Sequence, residues 1–163
     1  MTASVVPERS LTPGEIHSLS AGLWAALRRA GSEPRIVGRA SPLARVASLW
    51  RGGVPILTLG DRMFWPDAPQ DCSRPGLQNH MAILQHELQH VLDFATGRLS
   101  AIRYAVDPGN WRYGYRLEEG RPFARYGAEQ RASMAEDLWR LEHGGAAERG
   151  DTEALRRLIP WAN

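Results

Sequence analysis

A chain of 163 residues with 43% apolar and 23% charged residues has the balance of one globular domain, expected over residues 1–163, that buries its own core. The net charge is only +2, and the lone cysteine, Cys72, excludes an internal disulfide. All 20 basic residues are arginine, scattered rather than run together, which fits GC-rich codon usage better than nucleic-acid binding.

No nucleic-acid partner is therefore expected, a reading that clustering of the arginines on one face would challenge. Residues 1–10 carry no apolar core of signal-peptide length, and the apolar stretches, such as 23–27, are too short to span a bilayer. No membrane association is expected, and the expected compartment is the cytoplasm, with non-classical export left open.

The first strong element begins at Thr12. Thr12-Pro13-Gly14-Glu15 reads as a capping box with proline at the first helical position. Ile16, Leu19, Leu23 and Leu27 then recur at helical spacing until Gly31, which predicts one helix. Residues 34–37, 45–50, 54–59 and 63–65 have strand character, with turn signals at Gly52-Gly53 and Gly60-Asp61. They predict a small antiparallel sheet. Residues 66–76 form a loop.

A second helix is predicted over 78–96, closed by Gly97. Between 98 and 122 lies a mixed connection in which Trp111, Tyr113, Tyr115 and Leu117 alternate like one face of a strand or hairpin. A third helix spans 128–142 and stops at Gly144-Gly145, and a short helix over 153–158 follows.

The second helix carries His86-Glu87-Leu88-Gln89-His90, the H-E-x-x-H pattern. Residues four apart differ by about 40° around a helix, so both imidazoles project from one face. One ion at about 2.0–2.1 Å from each nitrogen is then within reach. Glu87 stands beside that face, placed as a general base for water rather than as a ligand. In a chain with this many histidines and glutamates, chance yields the pattern roughly 1% of the time, and its position on a long helix argues against chance. Met81, Leu84, Leu88, Val91, Leu92 and Ala95 supply the apolar surface to bury that helix.

Two histidines leave a catalytic zinc site one protein ligand short. The metzincin extension is excluded, since Asp93 and Thr96 occupy its glycine and histidine positions. The gluzincin arrangement takes a glutamate from a later helix instead. On the third helix Glu129, Ser133 and Glu136 share one side, next to a stripe of Ala128, Ala132 and Ala135 that permits close packing. Glu129 is the preferred third ligand and Glu136 the alternative.

Tyr113, Tyr115 and Tyr126 are candidate donors to an oxyanion. His80 points away from the metal face and reads as a capping or surface residue. His17, His143 and Cys72 carry no catalytic signal.

Several segments together resemble a known group: residues 11–16, Arg62-Met63-Phe64-Trp65-Pro66-Asp67, the H-E-x-x-H run, Gly120-Arg121-Pro122-Phe123, and 126–133 with its Glu-Gln-Arg-Ala-Ser. They resemble the bacterial Vgr-related, zincin-like metallopeptidase family, whose relatives occur beside Rhs and Vgr secretion genes. The likeness covers roughly residues 10–143. It implies a gluzincin-like site with Glu129 as the third ligand of Zn2+. Better-known gluzincins carry an aspartate four residues after that glutamate, where this chain has Ser133. Support for a ligand histidine is then expected from Asp137 or Asp93.

The expected fold is α+β and zincin-like: a small antiparallel sheet, an active-site helix and a second, glutamate-bearing helix. The expected function is zinc-dependent peptide hydrolysis, with Glu87 as general base and a peptide or protein substrate. Zincin folds further suggest the 63–65 strand at the cleft rim, pairing with an extended peptide. The alternative is a degenerate zincin that binds a protein partner within a secretion system.

Overall fold

The computed structural model describes residues 8–42, 55–147 and 149–163. Its α+β architecture sets a four-stranded sheet against one long helix, with a second long helix packed on that one and shorter helices around them.

β1 (Arg9–Ser10) leads into α1 (Pro13–Ser18), whose start is built as the sequence dictates. Thr12 Oγ1 accepts from the Glu15 amide, and Glu15 Oε2 accepts in return from the Thr12 amide. The predicted single helix is broken. The backbone turns extended at Leu19, and α2 (Ala21–Arg29) starts afresh after Ser20, whose side chain makes no capping bond. The helical spacing of Leu23 and Leu27 survives, because both side chains are fully buried.

β2 (Arg35–Val37), β3 (Leu57–Leu59) and β4 (Arg62–Phe64) complete the sheet in the order β1-β2-β4-β3. The Gly60-Asp61 signal makes a two-residue hairpin: Leu59 pairs with Arg62, and Gly60 takes the positive φ of 59° that such a turn needs at its first position. The sheet is mixed, which corrects the antiparallel expectation. β4 rather than β3 pairs with β2, in parallel, with Ile36 opposite Met63. A parallel pair needs a crossover of a dozen or more residues, and the stretch between β2 and β3 is long enough to supply it. The predicted strand at 45–50 lies outside the described residues. β4 has a neighbour on each side, so it cannot receive a peptide at a free edge. Among the described residues the edge strands are β1 and β3.

α3 (Gln78–Ala95) and α5 (Ala128–Glu142) make the most extensive contact between elements. Leu84, Leu88 and Val91 of α3 are fully buried, as are Ala128, Ala132 and Ala135 of α5. Small side chains let the two helices approach closely.

The predicted alternating strand through 111–117 does not form. α4 (Ala101–Val106) and a 3₁₀ turn (Pro108–Trp111) occupy the connection instead, followed by irregular chain. Local side-chain bonds to backbone win there over β pairing: Trp111 Nε1 donates to the Tyr104 carbonyl and Asn110 Nδ2 to that of Arg103. α6 (Thr152–Leu158) closes the chain, and Trp161 Nε1 ties the last residues to Gln89 Oε1 on α3. Among the described residues, no helix is long and apolar enough to cross a membrane.

Candidate metal centre

α3 is amphipathic in an unusual way, because two polar rows run along it as well as the apolar face. Gln85, Gln89 and Asp93, at i, i+4 and i+8, are fully buried. Gln89 donates to Asp93 Oδ1, and Arg131 of α5 grips Asp93 Oδ2 at 2.8–2.9 Å. This row ties α3 to α5 and to the end of the chain. The second row is His86 and His90, both almost fully buried, with ring centroids 5.0 Å apart.

Glu129, in the first turn of α5, meets that second row. Its Oε2 lies 3.0 Å from His86 Nε2 and 3.4 Å from His90 Nε2. One ligand atom from each of the three residues falls within 4.8 Å of the others, so the group could hold a metal ion. The donor set, two imidazole nitrogens and one carboxylate oxygen, fits zinc chemistry. His90 Nδ1 is buried without a hydrogen-bond partner among the described residues, and the ring meets those of His86 and Tyr104 edge-on.

Electrostatics favour a cation here. Burial alone would push the His86 imidazolium down, but hydrogen bonds to Glu129 and Glu136 outweigh it and raise its pKa to about 10. Burial likewise opposes ionisation of Glu129, yet the two imidazoles hold it well below the usual carboxylate range. The centre therefore presents a fixed carboxylate charge, matched by a proton when no metal is bound.

Glu136 does not converge with the three ligand atoms. Its Oε2 lies 3.1 Å from the other nitrogen of His86, Nδ1, and Arg140 holds its Oε1 at 2.7 Å. It thus holds the His86 ring from the side away from Glu129, a place that Ser133 does not fill. The expectation that Asp137 or Asp93 would do so is corrected: Asp137 accepts from Tyr115, and Asp93 is taken by Arg131.

Glu87 is turned to the sheet side, where Thr58 of β3 donates to its Oε2 at 2.6 Å. Its charge is felt at both His86 and Tyr104. Thr58 is a partner that no sequence pattern signals, since only strand pairing carries it there.

Tyr104 is the other residue that sequence reasoning missed. Its hydroxyl donates to Glu129 Oε1 at 2.5 Å. Burial, followed by the Glu129 charge, pushes its pKa far up, so it stays a donor. Of the three tyrosines singled out from the sequence, only Tyr113 lies at the centre, stacked on His86 with centroids 6.0 Å apart. Tyr115 and Tyr126 are buried and bonded to structural groups.

Elsewhere, His80 stacks on Trp65 and His143 on Trp139, both structural roles. Burial pushes the Cys72 thiol up to about 12, which leaves it inert at neutral pH.

No protein-family model matches this sequence, and no curated protein matches it either. Among solved structures, the effector domain of Pseudomonas aeruginosa VgrG2b superposes with a TM-score of 0.64. That alignment covers 98% of this chain and 86% of the other, at 15% sequence identity. At such low identity the likeness is one of fold: this chain shares its fold with a VgrG effector domain, and within that fold it brings together a buried His86, His90 and Glu129 that could bind a metal ion.

Proposed function

We propose that this protein is a zinc-dependent hydrolase, a peptidase of gluzincin type, that works in association with a Vgr-type secretion system. The observation that carries the reading is the meeting of His86 Nε2, His90 Nε2 and Glu129 Oε2 from two helices. Glu87 stands beside them in the H-E-x-x-H pattern. The shared fold with a VgrG effector domain supports the secretion association, as does the sequence resemblance to Vgr-related zincins.

His86, His90 and Glu129 would hold the zinc. Zinc bound there supplies Lewis acidity, polarising a scissile carbonyl and making water acidic near neutral pH. Glu87 takes the proton of the attacking water and delivers it to the leaving amine. Thr58 fixes the Glu87 carboxylate through Oε2, and Tyr104 fixes Glu129 through Oε1. Glu136 holds the His86 ring with its Nε2 toward Glu129. Tyr113, exposed and stacked on His86, lies where it can meet a bound peptide.

The test is a peptide-library digestion by wild type and Glu87→Gln, with zinc content measured on both. The Gln variant should keep zinc and fold yet lose about 10²–10⁴-fold in turnover. Equal cleavage by both would remove Glu87 as the base. A zinc-loaded wild type that cleaves no peptide would favour the degenerate zincin that only binds a protein partner.

A further inference from the structure

Arginines that look scattered along the chain gather in space. A cleft of about 990 Å³ beside the start of α5 is lined by eight of the 20 arginines and only two carboxylates, those of Asp107 and Glu118. Both carboxylates are already engaged: Asp107 accepts from the Gly109 amide, and Glu118 pairs with Arg121 at 2.7 Å. Arg131 is spent on Asp93. Arg98, Arg103, Arg112, Arg116 and Arg125 are all exposed, and among the described residues none has a carboxylate within ion-pair distance. That leaves a concave surface with a concentrated positive charge in a protein whose net charge is only +2.

In the chain, residues of the cleft stand beside residues of the metal centre: Arg103 precedes Tyr104, whose hydroxyl holds Glu129, and Gln130 follows Glu129. We infer that this cleft binds an acidic stretch of the polypeptide substrate, a run of aspartates and glutamates next to the bond to be cut. The inference rests on the peptidase reading of the centre. Arginine forks match carboxylates well, and several weak exposed pairs add up when one chain carries all the partners.

A single-stranded nucleic acid is the less suited polyanion, because such sites offer open aromatic faces on which bases stack. The two tyrosines lining the cleft, Tyr115 and Tyr126, are only 3% and 2% exposed, and the Arg121 guanidinium covers the Tyr126 ring.

The experiment measures binding by fluorescence anisotropy with a labelled oligoglutamate peptide and, separately, an oligothymidylate of equal charge. The proteins are wild type, the double variant Arg112→Glu/Arg116→Glu and a control with Arg28→Glu on α2. All three substituted arginines are exposed, so folding should be unaffected, and circular dichroism checks it.

The peptide should bind wild type and the control alike, and the double variant about tenfold or more weakly. Added salt should weaken the wild-type complex. Cleavage of a neutral peptide should persist in the double variant while cleavage of an acidic one falls through KM. Equal peptide affinity in wild type and double variant overturns the inference, and so does tighter binding of the oligothymidylate than of the peptide. Because binding is read without turnover, a wild type that binds oligoglutamate but cuts no peptide refutes the peptidase reading, and with it the substrate role of the cleft, while its recognition of an acidic polypeptide stands.

Discussion

Glu129 and Glu136 lie two turns apart on one face of α5, and both reach His86, but through different nitrogens. Their losses should therefore differ in kind. Glu129→Ala removes a donor from the centre and should weaken zinc binding well beyond the 10–100-fold typical of a lost supporting group. Glu136→Ala frees the His86 ring and should fall within that 10–100-fold range. A competition titration against a zinc chelator reads both; equal affinity of wild type and Glu129→Ala would remove Glu129 from the centre. A second residue-scale prediction concerns Glu15, which is fully buried and takes both arms of Arg9 at 2.8 Å and the Cys72 amide at 2.9 Å. Burial alone would raise its pKa, but those donors hold it below the ordinary 4.5. A depressed pKa stabilises the fold fully above about pH 4.5 and loses that contribution as pH falls through the folded value. Glu15→Gln should cost about 2 kcal/mol at neutral pH and flatten the acid limb of a stability–pH curve measured by urea unfolding. An acid limb identical to that of wild type would show that Glu15 titrates normally.

At the scale of elements, the metal centre depends on how the start of α5 is held. Gly127 has no room for a side chain: an added Cβ would collide with the Gly109 carbonyl of the 3₁₀ turn. The Ala128 amide meanwhile donates to Asn110 Oδ1. Gly127→Ala should shift the first turn of α5, lowering both thermal stability and zinc affinity, although it touches no ligand. Unchanged zinc affinity in a destabilised Gly127→Ala protein would show that Glu129 is positioned independently of that turn.

The sequence makes α3 and α5 legible because each carries a long periodic pattern, and with them the residues that meet at the centre. The break at Leu19–Ser20 is not legible, since the leucine spacing continues straight through it. Nor are Tyr104 and Thr58. One sits on a six-residue helix held by side-chain bonds to its carbonyls, and the other is brought to Glu87 only by strand pairing. The parallel partnering of β2 and β4 joins strands that are not neighbours in the chain, which three-residue strands do not announce.

For the molecule as a whole, the fold is one shared with a VgrG effector domain, and the centre lies where its two longest helices pack. Three buried residues from those two helices, if they hold a metal ion, would couple its binding to the helix packing. Zinc should therefore raise the melting temperature, and chelation should lower it by mass action. A melting temperature indifferent to chelator in zinc-loaded protein would separate the centre from the fold. The clustering of exposed arginines in one cleft is likewise a property of the whole molecule, invisible while they are read along the chain.

Whether His86, His90 and Glu129 hold a zinc ion is decided by elemental analysis of the purified protein reconstituted at neutral pH. Wild type should carry about one zinc per chain, and a His86→Ala/His90→Ala variant that remains folded close to none. A reconstituted wild type without zinc, or a double variant that keeps a full equivalent, would contradict a zinc site there.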